Sequence, residues 1–67
     1  MRELKTLTGR TVVVASDGAT LRGVLESATR SFVTLVEVVA VDRPQQTPIA
    51  GSVLVPVPRI SYVQVVS

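Results

Sequence analysis

The chain has no cysteine, no histidine and no tryptophan, and its 67 residues include one phenylalanine and one tyrosine. Each absence removes a class of explanation. Without Cys or His there are no disulfides, none of the usual zinc ligands, and no imidazole or thiol to act as general base or nucleophile. Aromatic residues amount to 3%, too few to line the groove of a peptide-binding SH3-type module. Apolar residues reach 46%, but polar ones interrupt them every few positions, far short of the run of about 20 that a membrane helix needs. The opening MRELKTLTG begins with charge but has no apolar stretch behind it, which is not the pattern of a secretory leader. These readings point to a cytoplasmic protein without membrane association.

The length sets the next constraint. A single domain spanning residues 1–67 is expected, and a domain of this size buries only about 60% of the surface its unfolded chain exposes. Ordering the chain costs ~1.5 kcal/mol per residue, and small domains usually offset this with disulfides, a metal or a partner subunit. The residue types required for the first two are missing, so association with other copies of itself is the expected remedy. The net charge of +2 permits an anionic partner such as nucleic acid without requiring one.

Catalysis is not expected. Asp17, Glu26, Glu37 and Asp42 show no spacing that would pair carboxylates across a cleft. The four glycines never cluster into a phosphate-cradling loop. No cofactor, metal or small-molecule substrate is implied.

What the sequence does contain is β-branched. Leu4 and Leu7, among helix formers and ahead of Gly9, predict one short N-terminal helix that must lie on something larger. From Arg10 onward the fifteen valines follow, suiting a pleated, half-buried surface. RTVVVAS reads as a first strand, Asp17-Gly18 as a hairpin turn, and ATLRGVLES as a second strand. In that strand Leu21, Gly23 and Leu25 share a face, and a glycine between them marks a sharp bend or a close backbone approach.

SFVTLVEVVAV, residues 31–41, is apolar on both alternating faces apart from Thr34 and Glu37, so it needs cover on both sides. Glu37 is expected at the rim of a subunit contact. DRPQQTPIAGS reads as the long loop. VLVPVPR and ISYVQVV then read as two further short strands separated by a tight connection around Pro58 and Arg59. Pro56 and Pro58 direct their missing N–H groups to one edge, or else Pro58 only shapes the turn. The expected architecture is mainly β: a short helix, then a five-stranded, strongly bent antiparallel small barrel.

This pattern resembles the Sm-like (LSm) family, nearly end to end. The family's first motif has an apolar strand, an Asp-Gly or Asn-Gly turn, a glycine five positions on and an apolar residue two further. Val12 and Val14, Asp17-Gly18, Gly23 and Leu25 stand at that spacing. GSVLV from Gly51, with Ile60 and Val63 around Tyr62, resembles the second motif. The resemblance implies an SH3-type small barrel and a ring of about five to seven copies, the fourth strand of one pairing with the fifth of the next.

It also implies a single-stranded RNA site, built on the loop after the second strand and the turn before the last. The residues the family uses there are an Asp, an Asn and an Arg-Gly pair. Here the corresponding positions are Thr29, Val33, Pro56 and Val57, and all four depart. Valine and proline side chains cannot hydrogen-bond a base, so the family's uridine-reading pocket is expected to be absent. Arg30 and Arg59 remain near the expected pore, where a ring would multiply each into a circle of positive charge able to hold phosphates without reading sequence. The plainer reading is that both are solvated loop residues.

Thr29, Val33 and Tyr62 complete the candidate RNA site, with Tyr62 expected to face solvent and Phe32 to be buried. Arg2, Lys5 and Arg10 form a candidate second basic face. The sequence thus leads to a homo-oligomeric ring binding RNA weakly and with little selectivity. The alternative is a structural or protein-interaction ring without nucleic acid.

Overall fold

The computed structural model of the chain describes residues 6–41 and 47–66. They form an antiparallel sheet of six strands: β1 (Thr11–Ser16), β2 (Ala19–Ala28), β3 (Phe32–Ala40), β4 (Thr47–Ile49), β5 (Val53–Pro56) and β6 (Ile60–Val65). A 3-10 turn, Val57–Arg59, joins β5 to β6. β6 lies beside β1, β1 beside β2, and β2 beside β3, while β4 and β5 share the far side of β3. Among the described residues no helix is long and apolar enough to cross a membrane.

The local chemistry of the first hairpin accounts for its register. Gly18 takes φ +71, and Ser16 pairs directly with Ala19, so Asp17-Gly18 is the two-residue turn expected of an Asp-Gly pair. Val12 and Val14 then face inward with Leu25, Ala28, Val33, Leu35, Val38 and Val55, each at most 7% exposed. Leu7, Leu21, Ile49, Val53, Val57, Ile60 and Val63 pack around them. This core is wholly aliphatic, built from the β-branched residues that fit a curled sheet.

Two bulges bend the pairing of β2 with β3, and a third lies where β1 meets β6, at Ala15 and Ser16. Between the pairs Val24–Val36 and Arg22–Val39, β3 carries one residue more than β2. Between Leu25–Leu35 and Ser27–Thr34 the excess lies on β2. Accordingly the buried positions on β3 run Val33, Leu35, then Val38, a break in the period-two alternation of a strand. Glu37 is the residue with positive φ (+53) in the first bulge, and Glu26 is the unpaired residue of the second; both are exposed. Gly23 faces the first bulge. A Cβ there would stand 2.9 Å from the Val36 carbonyl oxygen and 3.2 Å from Val38 Cγ2. The glycine therefore lets β3 fold inward, as its place in the sequence suggested.

Glu37 has a measurable cost attached. An L side chain at positive φ is disfavoured by roughly 1 kcal/mol, whereas glycine is not. Glu37→Gly is expected to raise stability by about 0.5–1 kcal/mol, which for a domain of this size shifts Tm upward by several degrees. Thermal unfolding followed by circular dichroism checks it.

Three expectations need correction. The N-terminal helix is not supported: Leu4 and Lys5 lie outside the described residues, and Thr6–Gly9 is a turn. There the Gly9 N–H donates to the Leu25 carbonyl at 2.8 Å and the Arg10 N–H to the Leu7 carbonyl at 2.9 Å, so this segment bonds to β2 in place of a helical ladder. A spacing of two leucines is too short to nucleate a helix against that competition.

Second, the stretch read as one loop contains β4, whose Thr47, Pro48 and Ile49 pair with Ala40, Val39 and Val38. Its proline is tolerated because this is an outer strand. Third, the penultimate strand stops at Pro56, and Val57–Arg59 turns off it. The sheet curls around its core, but β5 and β6 are not paired with each other.

Candidate functional site

The bend of the sheet brings three connections together. The β2–β3 turn, Thr29 to Ser31, meets the 3-10 turn through a hydrogen bond from the Val57 N–H to the Ser31 carbonyl, 2.9 Å long. The 3-10 turn in turn meets the β1–β2 hairpin, where Arg59 Nη1 lies 3.7 Å from Asp17 Oδ2. Arg30 and Arg59, far apart in sequence, thus sit on neighbouring turns at one end of the molecule.

Thr29 organises the first of these turns. Its Oγ1 accepts from the Ser31 N–H at 3.2 Å and from the Phe32 N–H at 3.1 Å, and its hydroxyl donates to the Phe32 carbonyl at 3.2 Å. Its own N–H donates to that same carbonyl at 2.8 Å. This is a local side-chain cap of the kind Thr supplies in turns. The hydroxyl is fully engaged, so Thr29 contributes by holding the loop rather than by reaching outward. Arg30, at the tip, is exposed.

The remaining candidates separate. Val33 is 0% exposed and belongs to the core, so its side chain offers nothing to a ligand. Pro56 is half-buried at the end of β5, opposite Phe32. Val57 is half-buried and anchors the turn through its N–H. Tyr62 is 54% exposed on the outer face of β6, across from Ala15 of β1. Arg10 is exposed ahead of β1, while Arg2 and Lys5 lie outside the described residues, so among the described residues Arg10 alone represents the second basic face.

Phe32 overturns its expectation: it is 41% exposed. The physical reason is turn length. Arg30 and Ser31 are the only residues between the paired Thr29 and Phe32, and Ala28 pairs with Val33. Alternation then sends Val33 inward and Phe32 outward. The local signal that would have found this is Thr29 itself, a capping residue placed to close a two-residue connection. The Asp17–Arg59 contact had no such signal, because it joins segments distant in sequence. Both side chains are about 70% exposed, so the pair is screened and adds little to stability; its effect is to reduce the positive charge presented by Arg59.

The sheet edges near this end differ chemically. Because the Val57 N–H points to Ser31, just ahead of β3, strand alternation turns the outward edge of β5 to Leu54 and Pro56. Proline has no N–H, so that edge is poor in donors. On the other side, the Val66 N–H donates to the Thr11 carbonyl at 2.9 Å. By the same alternation Val63 and Val65 of β6 direct their N–H and C=O groups away from β1. Neither edge strand carries a charged residue.

Comparison with known proteins adds nothing to this description: a scan of protein-family models finds no match to the chain, and a search of curated proteins finds none.

Proposed function

We propose that this chain is an Sm-like small-barrel protein of the cytoplasm. It assembles with copies of itself into a ring and holds single-stranded RNA weakly, with little base selectivity, through basic side chains around the pore. It acts as a binding module, not a catalyst. The observation that carries this reading is that β5 and β6, consecutive in the chain, sit at opposite edges of one sheet and are not paired with each other. Edge strands without charge invite strand addition, and the Leu54 N–H and outward carbonyls of β5 in one copy, with the outward groups of Val63 and Val65 of β6 in the next, are the pair that would join copies head to tail. The bent sheet order and the glycine-dependent bulge support the family resemblance.

RNA binding rests on Arg30 and Arg59 sharing one end of the molecule, where repetition around a ring would build a continuous positive belt. The second reading, a scaffold ring without nucleic acid, is favoured by the proximity of Asp17 to Arg59, which offsets one of those charges.

Native mass spectrometry with and without a short oligouridine tests assembly and binding together. A single-chain species in both conditions would defeat the proposal. Within it, Arg30→Ala combined with Arg59→Ala is expected to weaken oligouridine binding about ten-fold or more at low salt. The same change should flatten the salt dependence by roughly 0.7 in the logarithmic slope for each phosphate that is no longer neutralised. An unaltered slope in a fluorescence-anisotropy titration favours the scaffold reading.

A further inference from the structure

β6 is held to the sheet by one neighbour. It pairs with β1 alone, and none of its residues is fully buried; Ile60 and Val63 only pack around the core. Its connection to β5 is the 3-10 turn Val57–Arg59, and the backbone is extended on either side of it, with Pro56 at φ −62, ψ 126 and Ile60 at φ −81, ψ 125. A residue ahead of proline favours extended over helical backbone, because the proline ring crowds its N–H and Cβ. Val57 stands ahead of Pro58, yet it begins the 3-10 turn. The sequence of the connection therefore favours a straighter path than the one it takes. Little holds it bent. One backbone bond closes the turn, from the Ile60 N–H to the Val57 carbonyl, no side chain caps it, and none of its residues is buried. The contact of Arg59 with Asp17 joins two exposed side chains and adds little. The bond from the Val57 N–H to Ser31 survives straightening, since a rotation about ψ of Val57 leaves its N–H in place.

We propose that β6 exchanges between two copies of the chain. It leaves its own β1 and takes the same place on β1 of a second copy, which returns its own β6. Val12 then meets Val65, Val13 meets Gln64, Val14 meets Val63 and Ala15 meets Tyr62, as they do within one chain. Closed and exchanged forms thus differ only at the connection, which makes exchange a low-cost route to a dimer. The straightened connection favours the exchanged form, and dilution favours the closed one. The register names the occupant: another copy of this strand is what restores each of these pairs. Exchange is distinct from the edge pairing proposed above, in which every copy keeps its own β6 and offers the outward side. Here the inward side changes owner and the outward groups of β5 and β6 are untouched, so either proposal can fail without the other.

The chain has no cysteine, so introduced thiols report which chain supplies the strand, without background. Val13 and Gln64 are direct partners that alternate with core positions, at a spacing a disulfide can span. A chain carrying both Val13→Cys and Gln64→Cys, refolded from urea at high protein concentration and oxidised, is expected to run as a covalent dimer on a denaturing, non-reducing gel. A single-chain band, its disulfide closed within one copy, overturns the proposal even where native mass spectrometry shows a ring.

A second experiment keeps each chain to one substitution. Val13→Cys chains and Gln64→Cys chains are refolded together and oxidised, and a cross-linked pair of unlike chains is expected. Either variant refolded alone should give no cross-link. Absence of the mixed pair, or an equal yield from one variant alone, overturns the proposal. Adding Pro58→Ala to both chains frees Val57 for the bent path and is expected to lower the yield of the mixed pair about five-fold. An unchanged yield overturns the hinge preference on which the proposal rests.

Discussion

Leu35→Ala is expected to leave the chain without a cooperative fold. Leu35 is 0% exposed and sits at the middle of β3, paired with Leu25 on one side and Val53 on the other. Truncating a fully buried leucine costs about 2–5 kcal/mol, the spread reflecting how far the site can collapse. A domain of this size seldom has more than ~3–5 kcal/mol to lose. The aliphatic neighbours are mainly valines held in strands, and stiff β-branched side chains cannot swing in to fill the gap. Circular dichroism with urea titration should show a much reduced or absent transition. Leu54→Ala, on the adjacent strand but 57% exposed, is the control and should change stability by less than about 1 kcal/mol. Equal effects from the two would mean that the core has been assigned to the wrong face of the sheet.

Gly23→Ala ranks next. The added methyl would meet the Val36 carbonyl oxygen at 2.9 Å, Val38 Cγ2 at 3.2 Å and Leu35 Cβ at 3.4 Å. The closest of these is backbone, held in a bulge, so relief requires β2 and β3 to separate. Forcing a methyl group into such a site typically costs roughly 1–3 kcal/mol. A cycle with Val38→Ala tells which neighbour resists. If backbone is the obstacle, removing the Val38 methyls recovers little of the loss, and the coupling in urea midpoints is small. A large recovery would assign the clash to the side chain instead. Gly23→Ala should also weaken whatever depends on the bend, since the meeting of the Thr29 and Val57 turns requires β2 and β3 to fold over.

These two substitutions mark what could be read in advance. Asp17-Gly18 specified its hairpin to the residue, because turn chemistry is local and acts the same way in any protein. Gly23 announced a close approach for the same reason. The interior of β3 was less legible. Its residues are apolar on both sides, so composition alone could not say which face is buried, and the bulge at Glu37 reverses the alternation partway along. Phe32 was placed in the core by the family resemblance, and the length of the β2–β3 turn puts it on the other face.

β4 was hidden because its sequence, TPI, is three residues long with a proline at its centre. Its order comes from the open side of Val38–Ala40, a partner that nothing within the loop reveals. At the candidate site, the arginines were found by their type and loop position. Their nearness depends on the curl of the whole sheet, and the exposure of the phenylalanine depends on the length of a turn.

The pairing of β1 with β6 has a consequence for how the molecule is made. The bond from Val66 to Thr11 joins the first strand to the last, so the longest loop in the fold must close before either is complete. During synthesis on the ribosome the hairpin of β1 and β2 emerges early, yet β1 keeps one side unsatisfied until residues 60–65 have cleared the exit tunnel. Folding is therefore expected to be slowed by the entropy of that closure. A circular permutant that links the two ends and opens the chain in the β3–β4 connection would turn this distant pairing into a hairpin and should fold faster.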